Sequence, residues 1–231
     1  QQRVTLMKIK WYGHASFLIT AQNDTTIVTD PYTPETSGYL PIPDSPDIVI
    51  ISSDNDTFHC RADLVPGSPI IMNALHVAQN GGQRIEKDIT FQAIEAMEAL
   101  DHQFHDPDQN GMYRFTVDGV SIGHLGDIGN ALTEDQLRFF SGVDVLLALA
   151  GGHPTIRLDD LKVVIDRTQP KLVIPMHFRT LRYKPRNTFW IQSFLNYFDP
   201  QEVDFACDTE VTITPDTLPS STRVLILAHA C

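Results

Sequence analysis

The chain has 231 residues and a formal charge of −12, with 42% hydrophobic and 20% charged residues. That suffices for one large domain or two small ones with a sizeable core, and a body this acidic repels phosphate backbones, which argues against nucleic-acid binding. Cys60, Cys207 and Cys231 are an odd set with no CxxC pair, which argues against a disulfide framework and fits a reducing cytoplasm, while no apolar stretch has transmembrane length and no signal-peptide core opens the chain, so no membrane association is expected.

Gln1 to Leu6 precede the first clear pattern and read as an extension or a vector remnant. Met7–Tyr12 and Ala15–Thr20 read as strands around a Gly13-His14 break, and Thr26–Asp30 follows a polar turn as a third. Thr33–Pro46 carries four prolines and no periodicity. It reads as a long loop, a form often tied to function. Asp47–Cys60 (DIVIISSDNDTFHC) opens with the β-branched run Ile48–Ile51, a buried strand, and breaks into a polar burst at its C-terminal end.

Further on, Ile70–Met72 reads as a short strand, Ala74–Gln79 as one helical turn and Ile89–Glu95 as a strand. Ala96–Asn110 is polar and holds His102 and His105. Met112–Val117 and Val120–Leu125 flank Asp118-Gly119, a hairpin signal, and the second leads into Gly126-Asp127. Thr133–Ser141 reads as a helix with Thr133 as N-cap. Val143–Ala150 is a buried strand ending at Gly151-Gly152. Arg157–Thr168 has helical spacing, Lys171–Pro175 is a strand ending in Met176-His177, and Thr188–Phe198 reads as an amphipathic helix through Trp190, Phe194 and Tyr197. Val211–Thr214 and Arg223–Leu227 close the chain. The pattern predicts one mixed α/β domain over 7–231, two sheets packed face to face with helices outside.

Polar groups able to bind metal recur just past strand ends: His14, Asp30, Asp54, Asp56, His59, His102, His105, Asp127 and His177. Imidazole and carboxylate suit Zn²⁺ and related ions without thiolates. The order GHASFLI, IVTDPY, a buried strand with a polar burst, GHLGD and IPMH resembles the metallo-β-lactamase superfamily. Within it the chain is most similar to the small cytoplasmic metal-dependent hydrolases that include ascorbate-6-phosphate lactonase-like proteins. The resemblance implies a four-layer αββα sandwich, a metal site at one edge, Asp127 as the carboxylate able to bridge two metals, and His177 as the last ligand.

The opening strand departs from that pattern. The family's H-x-H-x-D-H falls on Ser53, Asn55, Thr57 and Phe58, so the first of two metal sites is expected to be lost. Asp56 and His59, one residue either side of the expected Asp-His pair, could rescue the second with Asp127 and His177. The expectation is one divalent ion, Zn, Mn or Fe, or none. His102 or His105 is expected near it, Asp54 and Asp127 as proton acceptors, and His14 and Asp30 behind the ligands. Arg179, opening the basic run Arg179–Arg186, is expected to receive an anionic substrate group. The expected activity is hydrolysis of a small polar ester, lactone or phosphoester, with a phosphorylated substrate mildly favoured. The alternative is a non-catalytic binding or scaffold protein. Self-association stays open.

Overall fold

The computed structural model describes residues 6–98 and 109–231. Its strands are β1 (Lys8–Gly13), β2 (Ser16–Thr20), β3 (Thr26–Thr29), β4 (Ile48–Ile51), β5 (Ile70–Asn73), β6 (Gln83–Glu86), β7 (Ile89–Met97), β8 (Gln109–Val117), β9 (Val120–His124), β10 (Val145–Leu149), β11 (Leu172–Met176), β12 (Val203–Phe205), β13 (Glu210–Thr212) and β14 (Arg223–Ile226). Its helices are α1 (Pro34–Ser37), α2 (Ala74–Gln79), α3 (Glu134–Phe140), α4 (Leu158–Thr168) and α5 (Ile191–Leu195). The strands form a six-stranded sheet, β13-β1-β2-β3-β4-β5, and an eight-stranded sheet, β12-β14-β11-β10-β9-β8-β7-β6. The two sheets form the expected αββα sandwich.

Strand alternation sorts the side chains of the first sheet. Trp11, Phe17, Ile19, Ile27, Ile48 and Ile50 face the core between the sheets. Their neighbours Tyr12, Leu18, Val28, Val49 and Ile51 build a second cluster on the outer face. Successive side chains point to opposite faces, so a strand apolar at every position must be covered twice. The outer cover is the Thr33–Pro46 stretch, which brings Tyr39 and Ile42 down beside Tyr32. Each such fully buried side chain contributes about 1.5–3 kcal/mol. On the other sheet, α3 and α4 cover the outer face through Leu137, Phe140, Leu161, Val164 and Ile165.

Three local readings differ. The predicted helix Thr188–Phe198 shrinks to Ile191–Leu195, because Trp190 forms a β-bridge with Arg179. β6 and β12 had no alternation strong enough to mark them: β6 pairs only with β7, and its Ile85 is 62% exposed. The long loop carries the short α1, with Pro34 in its first turn and Gly38 in the left-handed conformation after it.

The topology sets up one functional edge. β3 and β4 run parallel, and so do β9, β10, β11 and β14. The chain leaving β3, β4, β9 and β11 delivers Asp30, the Asp56–His59 turn, Asp127 and His177 respectively, and the β1–β2 turn adds His14. Among the described residues, no helix is long and apolar enough to cross a membrane.

Candidate metal centre

Five side chains converge at this edge. One ring nitrogen each from His14, His59 and His177 lies within 4.8 Å of the others, and so do ligand atoms of Asp56, His59 and Asp127. His59 is common to both groups. Its Nδ1 lies 2.8 Å from Asp56 Oδ2 and 3.4 Å from Asp127 Oδ2, while His177 Nε2 lies 3.6 Å from Asp127 Oδ1. The rings of His59 and His177 are parallel to within 4°, and those of His14 and His177 are 4.0 Å apart between centroids.

Backbone geometry places these groups. His14, Asp30 and His177 have φ of 52°, 36° and 57°, a left-handed conformation that non-glycine residues adopt rarely and at a cost. The carbonyl of His14 accepts from the His177 amide at 2.9 Å, which couples the two histidines directly. Asp56 Oδ1 accepts from the amides of Phe58 (2.5 Å) and His59 (2.7 Å), while its Oδ2 accepts from His59 Nδ1. Asp56 is therefore both a turn cap and the group that orients His59. Asp30, fully buried, accepts from the Ser52 amide at 2.7 Å and clamps the end of β3 to the end of β4. His124 donates from Nε2 to the Ala15 carbonyl at 3.0 Å and accepts at Nδ1 from the Gly126 amide at 2.9 Å, so it holds the loop before Asp127 from inside the core.

The electrostatics follow from burial. Desolvation works against charge on His59, but Asp127 and Asp56 overcome it and raise its pKa to about 10. Burial also opposes ionisation of Asp56, and His59 outweighs it, taking that carboxyl down to about 2. Burial raises Asp127 to about 7 against the pull of His59 and raises Asp30 to about 7. Burial, followed by repulsion from His59, lowers His177 to about 3. Burial, with His177 and His59, also holds His14 well below the usual histidine range.

The expected residues fare differently. Asp56, His59, Asp127 and His177 come together. His14 does not sit behind them; its ring belongs to the cluster. Asp30 is buried next to them, hydrogen-bonded to the Ser52 amide and in neither ligand group. Asp54 does not reach the site: its side chain is 64% exposed, 4.0 Å from His76, in a separate surface groove with Asn73 and Asn80. Both residues lie beyond the end of β4 in irregular backbone, where Asp56 folds back to cap the Phe58 and His59 amides while Asp54 stays on the outer surface. Arg179 does not face the site either. Its guanidinium stacks on Trp190, 4.9 Å from the ring centroid, fixed by the bridge between the two residues. His102 and His105 lie outside the described residues.

Two site residues escaped the sequence reading. Tyr183, 4% exposed, places its hydroxyl 3.1 Å from His14 Nε2. Asn110, fully buried, presents its amide oxygen to the amides of Asp127 (2.9 Å) and Ile128 (3.2 Å) when that group is oriented to satisfy them. Neither has a local signal: Tyr183 lies in a basic loop and Asn110 at the end of a polar stretch.

The arrangement fits a cation. His14 Nδ1, His59 Nε2, His177 Nδ1 and Asp127 Oδ1 are buried without a hydrogen-bond partner. Unpartnered buried polar atoms are costly and rare in folded proteins, and imidazole nitrogens with a carboxylate form a donor set for a borderline divalent ion.

The beta-lactamase superfamily domain matches residues 8–177, and the chain belongs to that family. A UPF0173 metal-dependent hydrolase of Methanoculleus marisnigri is 26% identical, covering 75% of this chain and 82% of its own length. A UPF0173 protein of Pyrococcus abyssi is 24% identical over 75% and 84%. A solved structure from Thermotoga maritima, described as a candidate Zn-dependent hydrolase of the metallo-β-lactamase superfamily, superposes with a TM-score of 0.74 at 29% identity, covering 96% of this chain and 98% of that one.

Proposed function

We propose that the protein is a metal-dependent hydrolase with a single divalent ion, Zn²⁺ first among candidates, held by His14, His59, His177 and Asp127. The observation that carries this reading is the convergence of three imidazoles and two carboxylates at one buried edge, with four of their polar atoms unpartnered. Ser53 and Asn55 stand where two ligating histidines would be expected from the superfamily's motif, and His14 brings an imidazole to the cluster from the β1–β2 turn of the same sheet. The UPF0173 metal-dependent hydrolase of Methanoculleus marisnigri supports the same class of reaction.

A divalent ion there would polarise a carbonyl or phosphoryl oxygen and lower the pKa of a bound water toward about 7. The remaining steps fall to the chain. Asp56 has both oxygens engaged, so it orients His59 rather than accepting a proton. Asp127, which would hold the ion through Oδ1, would leave Oδ2 as the cluster's carboxylate oxygen able to receive one. Tyr183 accepts from His14 Nε2–H and so turns Nδ1 toward the ion; a partner on the second ring nitrogen is the usual device for fixing a ligating histidine. Phe58 and Pro154 limit water at the cavity mouth.

One observation favours a second reading, a non-catalytic member of the family that binds a partner. His59 sits between two carboxylates, and the three groups neutralise much of each other's charge without an ion. Elemental analysis of chelator-free protein separates the two. The hydrolase reading expects about one Zn, Mn or Fe per chain; content under about a tenth of that, unmoved by added Zn²⁺ or Mn²⁺, supports the binding protein instead.

A further inference from the structure

The Thr33–Pro46 stretch does more than cover the outer face of the first sheet. Tyr39, 2% exposed, reaches from it to the chain that follows β11. Its hydroxyl lies 3.0 Å from Thr180 Oγ1, and Thr180 Oγ1 accepts from the Tyr183 amide at 3.1 Å. Tyr183 in turn places its hydroxyl 3.1 Å from His14 Nε2. Three buried side chains thus join the long loop after β3 to the ring of a cluster histidine.

Further contacts hold the same arrangement. The Tyr39 and Tyr183 rings stack with their centroids 6.1 Å apart and 24° between their planes. The Tyr39 ring also lies against Gly13, the residue before His14, where a Cβ atom would come to 2.6 Å from it. The two stretches of backbone are tied together, since the Lys184 amide donates to the Ser37 carbonyl at 2.8 Å. Burial raises the Tyr39 hydroxyl to about 12, against the opposing pull of Thr180 and of the His14 amide, so it remains a neutral hydrogen-bonding group at ordinary pH. Without Tyr39, the Thr180 hydroxyl is free to change rotamer, and its other rotamers release the Tyr183 amide.

We propose that Tyr39 is a positioning residue for His14: its hydroxyl acts through Thr180 and Tyr183 to hold the ring with Nδ1, the unpartnered nitrogen, toward the ion. This rests on the metal-dependent reading and deepens it by giving the long loop a part in the centre. A ligating histidine depends on what fixes its second ring nitrogen, and hydrogen bonds in series inside a protein restrain one another.

The test compares Tyr39→Phe, Thr180→Val and Thr180→Ser with the unaltered full chain, and Tyr32→Phe serves as control. Tyr32 is equally buried and donates to the Leu40 carbonyl at 2.9 Å, a bond that stays on the loop side. Zinc affinity by chelator competition and the visible spectrum of the Co²⁺-loaded chain are read for each. Tyr39→Phe and Thr180→Val should weaken zinc binding about three- to tenfold, less than the loss of a direct partner of the ligand, and shift the Co²⁺ bands. Thr180→Ser keeps the hydroxyl and should retain both properties, as should Tyr32→Phe. Added to Tyr183→Phe, Tyr39→Phe should weaken binding by no more than about twofold further, because both act on one ring. Unchanged affinity and spectrum in Tyr39→Phe, full additivity with Tyr183→Phe, or an equal loss in Tyr32→Phe overturns the inference and leaves the metal reading standing. If the unaltered chain takes up neither ion, the metal reading falls instead, and nitrogen-15 spectra of the histidine rings in the metal-free chain decide the positioning role. His14 held as the Nε2–H form in the unaltered chain and as a mixture of tautomers in Tyr39→Phe supports it; the same tautomer ratio in both overturns it.

Discussion

A Cβ atom on Gly151 would lie 2.0 Å from the carbonyl oxygen of His177. The end of β10 thus passes against the backbone of a cluster histidine with room for hydrogen only, and His177 keeps its left-handed φ of 57° under that contact. Because the clashing atom is backbone, relief must come from moving His177 itself. Gly151→Ala should cost about 1–3 kcal/mol as an overpacked site and weaken zinc binding about tenfold or more. Thermal unfolding and chelator competition measure the two effects. Unchanged zinc affinity would mean that His177 is not held by this contact.

Replacing cluster residues should separate ligands from bystanders. His59→Ala should abolish stoichiometric metal binding, whereas Asp54→Ala and Arg179→Ala should leave it within about twofold, since neither side chain reaches the cavity. Metal content after dialysis reads this out. His102→Ala and His105→Ala belong in the same series; an effect equal to that of His59→Ala would place the centre elsewhere.

Tyr183→Phe removes the one hydroxyl hydrogen-bonded to His14 Nε2. The ring stays buried, so the fold should survive. Loss of an orienting partner behind a ligating histidine typically weakens metal affinity about 10–100-fold. With Co²⁺ in place of Zn²⁺, the visible d–d spectrum should shift as His14 loses its fixed orientation. An unaltered spectrum would remove His14 from the ligand set.

Metal uptake should depend on pH in a defined direction. In the metal-free protein His59 is raised to about 10 by Asp127 and Asp56 over the opposing effect of burial. A cation must displace that proton, so binding releases it. Apparent affinity should therefore rise as pH increases toward about 10, by up to about tenfold per unit for one proton. The same shift gives the stability sign: the pair's contribution is present below the unfolded histidine value, about 6.5, and is lost as pH rises through about 10. Competition titrations at several pH values test the first, and a flat profile would show that His59 is not charged in the free protein.

Asn110→Ala leaves the amides of Asp127 and Ile128 without their buried acceptor. The expected cost is about 1–3 kcal/mol, with slack in the Asp127 loop read as weaker zinc binding. Full stability in denaturant titration would mean that water replaces the amide oxygen there.

Much of the architecture was legible in the chain. The β-branched run Ile48–Ile51 predicts a strand buried on both faces, and the alternation of Val49 and Ile51 against Ile48 and Ile50 shows why. The positions of Asp56, His59, Asp127 and His177 just past strand ends also predict their meeting, because parallel strands deliver their C-terminal ends to one edge. Composition and periodicity carry that information locally.

What the tertiary structure alone decided is which neighbours those groups have. Spacing cannot show that the β1–β2 turn folds His14 to within 4.0 Å of the His177 ring, since the two side chains that pack together are 163 positions apart in the sequence. Nor can it show that Tyr183 and Asn110 serve the site, that Asp54 turns into another groove, or that Trp190 takes Arg179 away from the cavity. Local pattern determines where strands run and which ends carry polar groups; long-range contacts, set by how two sheets and their loops close over each other, determine which of those groups share one buried volume.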